Sequence, residues 1–274
     1  RIFEIEALAP GSLSLSLAVG VPFTDTLSVA VPDHLAIVRG AGSYLTARAR
    51  EHAASRVQFP GLFQDEAGRD TIAKFGAVKQ MLAEMEAQRI LVETLSLLDP
   101  GPQDDAWTGA AVRKILAADA FGPQPGSFSY NAGQIFGGTA FSEDDCLAKY
   151  YRDSSPFRFL IAHDDVLRTE IGRRRLEAVS AGASLIPVSL QEEAWLEALR
   201  EEGLLSDIVV RWEGACSEIE AWALDATSHI DSDSKRADLV SFHAGNVTAR
   251  ALGIKACILR SGWRLECGLS VKAT

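Results

Sequence analysis

Two clusters of proline and glycine constrain this chain more than any other feature. Asp99-Pro-Gly-Pro102 and Gly122-Pro-Gln-Pro-Gly126 each interrupt stretches of helical periodicity. Proline has no amide hydrogen and its ring clashes with the preceding turn, so no helix runs through either cluster. The segments around them must therefore be separate helices. Upstream, Leu35, Val38, Gly42, Leu45 and Ala49 step at helical spacing to about Arg56. Asp33, just after Pro32, reads as the N-cap of that helix. After a loop holding Pro60-Gly61 and Gly68, Asp70 reads as the cap of a second helix with Ile72, Phe75, Val78, Leu82 and Met85 on one stripe. A third helix is expected from about Asp104 to Phe121, a short one leading into Gln134, and another from about Asp164 to Ser180. Long amphipathic helices with short links make a helix bundle.

The two ends read differently. In residues 1–32, Leu13, Leu15, Leu17 and Val19 alternate with small or polar residues, which is strand periodicity. Residues 181–274 open on a link marked by Gly182 and Pro187. Helices are expected there over Gln191–Glu202, Ser206–Ser228 and Lys235–Leu265, the last started by Asp231-Ser-Asp-Ser234. Trp195, Trp212, Trp222 and Trp263 supply large apolar surfaces to this part.

A chain of 274 residues with 47% hydrophobic residues supports one large or two modest globular domains. Its net charge of −10 offers no basic stripe for phosphates, which argues against a nucleic-acid partner. No apolar run is long enough to span a bilayer. Cys146, Cys216, Cys257 and Cys267 are far apart and form no CxxC pair. A reducing, cytoplasmic setting is expected from that usage. His34, His52, His229 and His243 are scattered among helices without a carboxylate partner at metal-ligand spacing, so no metal site is expected.

The chemistry gathers after the second break. Gln134-Ile-Phe-Gly-Gly138 pairs an amide that donates and accepts with two residues that allow a sharp turn and a close backbone approach. Tyr150-Tyr-Arg-Asp153 follows a polar run, Ser142-Glu-Asp-Asp145, that would start a helix. Arg56-Val-Gln-Phe59 lies upstream, ahead of the helix containing Phe75–Arg89. Taken one by one, these read as a helix stop, an ion-paired arginine and a core aromatic. Taken in order over roughly residues 33–175, they resemble the C-terminal part of the acyl-CoA dehydrogenases, whose elements run Arg-x-x-Phe, Gln-Ile-x-Gly-Gly, Tyr-Arg-Asp and Glu-Gly-Thr.

The resemblance implies a mainly α fold. Residues 33–180 would be an acyl-CoA dehydrogenase-like four-helix bundle, 1–32 a short β remnant or the end of a β-domain, and 181–274 a helical C-terminal extension. It implies FAD, whose adenosine pyrophosphate would meet Arg56, Phe59, Gln134, Gly137 and Gly138, often on a cofactor held mainly by a neighbouring subunit. A guanidinium fork suits phosphate, an aromatic face suits adenine, and bare glycine amides approach an anion. It also implies an acyl thioester of CoA or acyl carrier protein as substrate, and a homo- or hetero-oligomer.

The catalytic base does not carry over. Counted from Tyr151-Arg-Asp153, the family's Glu-Gly-Thr falls on Ile161-Ala162-His163, and isoleucine abstracts no proton. The alternative position for the glutamate on the first helix falls near Ala30, and the family's neighbouring arginine on Val31. The base is therefore unassigned, with His163, Asp164 and Asp165 as candidates. His163 reads first as a helix cap. Its functional reading is an acid or base near a flavin, as in the flavin monooxygenases of the same superfamily. Arg173-Arg174-Arg175 favours a helix dipole, with a carrier phosphate as a lesser reading. Three functions follow: part or subunit of an acyl thioester oxidoreductase, a flavin-dependent monooxygenase on the same scaffold, or a non-catalytic oligomerisation subunit.

Overall fold

A computed structural model describes residues 3–9, 12–17, 23–57, 70–101, 105–142, 146–201, 203–229 and 235–266. Strands β1 (Phe3–Ala9) and β2 (Ser12–Leu17) form an antiparallel hairpin that sets Phe3, Ile5 and Ala7 opposite Leu17, Leu15 and Leu13. The other regular elements among the described residues are helical. The helices are α1 (Phe23–Ser55), α2 (Gly76–Leu97), α3 (Ala106–Phe121), α4 (Phe128–Phe136), α5 (Leu147–Ser154), α6 (Asp164–Ser180), α7 (Leu190–Arg200), α8 (Gly203–His229) and α9 (Lys235–Glu266).

Helix α1 starts at Phe23, not at Asp33, and carries Pro32 inside it. Proline within a helix costs about 3 kcal/mol. Leu27 and Val31 continue the buried stripe of Leu35, Val38 and Leu45 across that position, all nearly inaccessible. Each such burial contributes roughly 1.5–3 kcal/mol, so two of them offset the proline. Packing overrides the local stop signal here. A similar shift occurs at α2. Thr71 opens a 3-10 turn over Ile72–Lys74, and α2 begins only after Phe75. The expected cap at Asp70 lies before that turn. Asp231–Ser234 and the acidic run Glu143–Asp145 fall outside the described residues.

Helix α3 is the axis of the molecule. It packs on α1, α2, α6 and α9. Asp105 caps it, accepting from the Thr108 amide at 3.1 Å. Ala110, Ala111, Val112, Ile115, Leu116, Ala117 and Phe121 are all buried, so α3 is covered around most of its circumference, as a central helix must be. Lys114 is buried among them with no exposed side-chain surface.

Helix α9 returns along α6 with the two backbones in contact. A Cβ placed on Gly172 of α6 would stand 1.7 Å from the Ser241 carbonyl oxygen, and one on Gly245 of α9 would stand 1.7 Å from that of Arg168. Only glycine permits that approach. Gly42, in the middle of α1, lies under the Phe128 ring at the start of α4, and the C-terminal ends of the two helices meet at His52 and Phe136.

Candidate functional site

Two groups of residues carry the sequence expectations. The first sits where α1 and α4 end. Gly137 closes α4 with φ +60° and ψ −135°, a conformation essentially reserved for glycine, and donates its amide to the Gly133 carbonyl. Gly137 and Gly138 are exposed, with open space where side chains would be. Gln134 is exposed on the last turn of α4. Below them Phe136 is buried, and the His52 ring stacks on it at 4.0 Å with the planes 19° apart. The Arg48 guanidinium carbon stands 5.9 Å from the centre of the same ring. Arg56 follows His52 by one turn and hydrogen-bonds back to its carbonyl. Its side chain is exposed and has no ion-pair partner among the described residues. Phe59 lies outside the described residues.

Arg56, Gln134, Gly137 and Gly138 thus belong to the paired ends of two packed helices. Sequence reasoning missed Arg48 and His52. Their spacing of four residues places both on one face of α1, and Arg56, just past the helix end, continues the same spacing. That periodicity of basic residues was a signal available in the sequence.

The second group surrounds Ile161. Ile161 has φ +71°, the single positive φ among the described non-glycine residues. The Ala162 amide donates to the Leu160 carbonyl at 2.8 Å, closing a three-residue γ-turn with Ile161 at its centre. A β-branched residue in this conformation is strained by roughly 1–3 kcal/mol.

His163 caps α6, its Nδ1 accepting from the Asp165 amide at 3.2 Å, and its ring meets Phe159 edge-on at 4.8 Å. That bond requires an unprotonated Nδ1, so His163 occupies its capping role. Asp165 is ion-paired with Arg158 at 3.2 Å. Asp164 is wholly buried, with one carboxylate oxygen on the Lys114 ammonium. Its other oxygen has no hydrogen-bond partner, and Arg158 Nε is 4.0 Å away. A carboxylate without accessible surface takes no proton from a ligand unless the turn opens. Burial pushes the Asp164 carboxyl up to about 6 against the opposing pull of Lys114, and pushes the Lys114 ammonium down. Val31 is core, so no cation stands there either.

More charge lies beneath. Arg168 donates to both oxygens of Asp119 at 2.8 Å and to Asn246 Oδ1 of α9 at 2.6 Å. His34 of α1 packs its ring at 4.9 Å from Phe157. Its Nε2 has no hydrogen-bond partner, and burial followed by the charge of Lys114 pushes its pKa down to about 4. Arg173-Arg174-Arg175 is committed to the protein. Arg173 pairs with Glu170 and Glu177, Arg174 with Glu170 and Asp105 over the Trp107 ring, and Arg175 donates to the Leu185 carbonyl. No group of metal-ligating side chains occurs among the described residues, and none of the described helices is long and apolar enough to cross a membrane.

No protein-family model and no curated protein matches the sequence. Solved structures do match the fold. An acyl-CoA oxidase from tomato superposes with a TM-score of 0.65 at 14% identity, over 99% of this chain and 44% of that one. An acyl-CoA dehydrogenase complexed with FAD from Bacillus anthracis gives 0.63 at 15% identity, over 88% and 43%. An acyl-CoA oxidase of Caenorhabditis elegans complexed with FAD and ATP gives 0.62 at 13% identity, over 97% and 44%. The chain therefore has an acyl-CoA dehydrogenase-like helical fold and spans less than half the length of these structures.

Proposed function

We propose that this chain is the helical part, or a helical subunit, of an FAD-dependent oxidoreductase acting on an acyl thioester of CoA or acyl carrier protein. Residues 33–180 would form the flavin-contacting bundle and 181–274 its extension, within a homo- or hetero-oligomer. The observation that most supports this is the corner at the ends of α1 and α4. An uncommitted, exposed Arg56 follows His52, which lies on the ring beside the open Gly137-Gly138 backbone. That set fits a dinucleotide: a guanidinium for phosphate, an open glycine backbone for close approach, and an exposed amide at Gln134. FAD, when bound, supplies two-electron oxidation. The chain's own residues hold its pyrophosphate end.

Arg56→Ala is expected to lower the flavin content of the purified assembly. Unchanged content would remove Arg56 from the site. The visible spectrum before and after anaerobic addition of acyl-CoAs tests the substrate. Bleaching supports the thioester reading, and a flavin that stays oxidised argues against it.

A specific observation favours a second reading, a subunit that supports assembly without supplying a base. Ile161 has no proton-accepting group, His163 is a cap and Asp164 is buried in an ion pair. Absence of flavin from the assembly purified with its native neighbours would select it.

A further inference from the structure

The γ-turn at Ile161 is held from one point below. Lys114 Nζ donates to the Arg158 carbonyl at 3.1 Å, at the entry to the turn, and to the Asp164 carboxylate, at its exit. A single buried ammonium from α3 therefore ties both ends of the segment in which Ile161 is strained. Arg158 closes the same segment from the outside through Asp165. Strain persists only where the surroundings over-determine it. Lys114 is wholly buried on the central helix.

We propose that Lys114 is a positioning residue: it clamps the Arg158–Asp164 segment so that the side chain at position 161 is presented in one fixed direction. A buried ion pair is a weak source of stability, since apolar replacement of both partners is often neutral. Its contribution here is to the geometry of the turn. The meaning of that direction at a substrate rests on the acyl thioester reading, whereas the clamp itself does not.

Amide hydrogen exchange of the full chain tests the clamp. In the wild type, the Ala162 amide should exchange as slowly as buried amides of α3. Exchange near the rate of an unstructured peptide would overturn the proposal, and this measurement needs no variant. In Lys114→Met/Asp164→Leu, which removes both charges together, Ala162 exchange should rise by about tenfold or more, the effect expected from losing one buried hydrogen bond. Amides of α9 should keep their rates. An unchanged Ala162 rate in that folded variant also overturns the clamp. If the variant does not fold, the wild-type rate decides.

The substrate side is read separately. Ile161→Glu places a carboxylate on the turn, and flavin reduction by butyryl-, octanoyl- and palmitoyl-CoA should rise above the wild-type rate with Lys114 present. It should fall by about tenfold or more once the clamp is removed. Reduction that is insensitive to the clamp overturns the positioning role. No rise over wild type in either background, with the exchange result intact, leaves the clamp standing and rejects the register that puts position 161 at the base; the thioester reading itself fails only if the wild-type flavin also stays oxidised.

Discussion

His34 illustrates how one buried side chain sets a pH dependence. Its folded pKa, about 4, lies below the ordinary value of 6.5. Between those values the unfolded chain binds the proton and the folded chain does not. Stability from this group is thus complete above pH 6.5 and is lost as pH falls toward 4, by about 3 kcal/mol across the window. Asp164 titrates in an overlapping window with the opposite sign, because its folded pKa is raised to about 6. The quantity to measure is therefore the difference between wild type and His34→Leu in urea unfolding. Wild type should lose stability relative to the variant from pH 6.5 to pH 4, and a constant difference would show that His34 does not carry the effect. At this scale the sequence was partly legible. The cap at His163 follows from its place before Asp164-Asp165. The Lys114–Asp164 pair does not, since fifty residues separate its members and only the packing of α3 on α6 joins them. A lysine among the alanines and aliphatic residues of α3 was a hint in the sequence.

Helices follow from periodicity where the pattern is local, and fail to follow where packing supplies the missing energy. The boundaries of α6 match the expected Asp164–Ser180, with His163 capping its start. The start of α1 was not, because Pro32 is tolerated only by burial of Leu27 and Val31 on its far side. The pairing of α6 with α9 was also hidden: a glycine in a helix reads as a weakness until its partner is known. Gly172→Ala or Gly245→Ala would each place a Cβ against a carbonyl of the facing helix. Each should destabilise the protein by roughly 1–3 kcal/mol, as overpacking does, measured by urea or thermal unfolding. The two effects should not add. Once the first Cβ separates the helices, the second meets open space, so the double variant should cost clearly less than the sum. Full additivity would mean that the helices do not yield as a pair.

At the scale of the molecule, the fold resemblance was legible from the order of motifs, while the surfaces left for assembly were not. Along α8, Val210, Gly214, Ser217, Ala221 and Leu224 repeat at helical spacing and are all exposed. Small residues flanked by larger apolar ones let a second helix approach closely. The chain also carries a net charge of −10, so copies repel one another. Together these two properties set one expectation for the effect of salt. If α8 is buried between copies in the proposed oligomer, added salt screens the repulsion and leaves the apolar contact intact. Association should then strengthen as ionic strength rises toward about 0.15 M, where the Debye length falls to about 8 Å. Sedimentation velocity across that range, with wild type and Leu224→Asp, decides the matter. Leu224→Asp should weaken association by about tenfold or more by placing a charge in the contact. Association that weakens with salt, and that ignores Leu224→Asp, would assign assembly to ion pairs elsewhere on the surface.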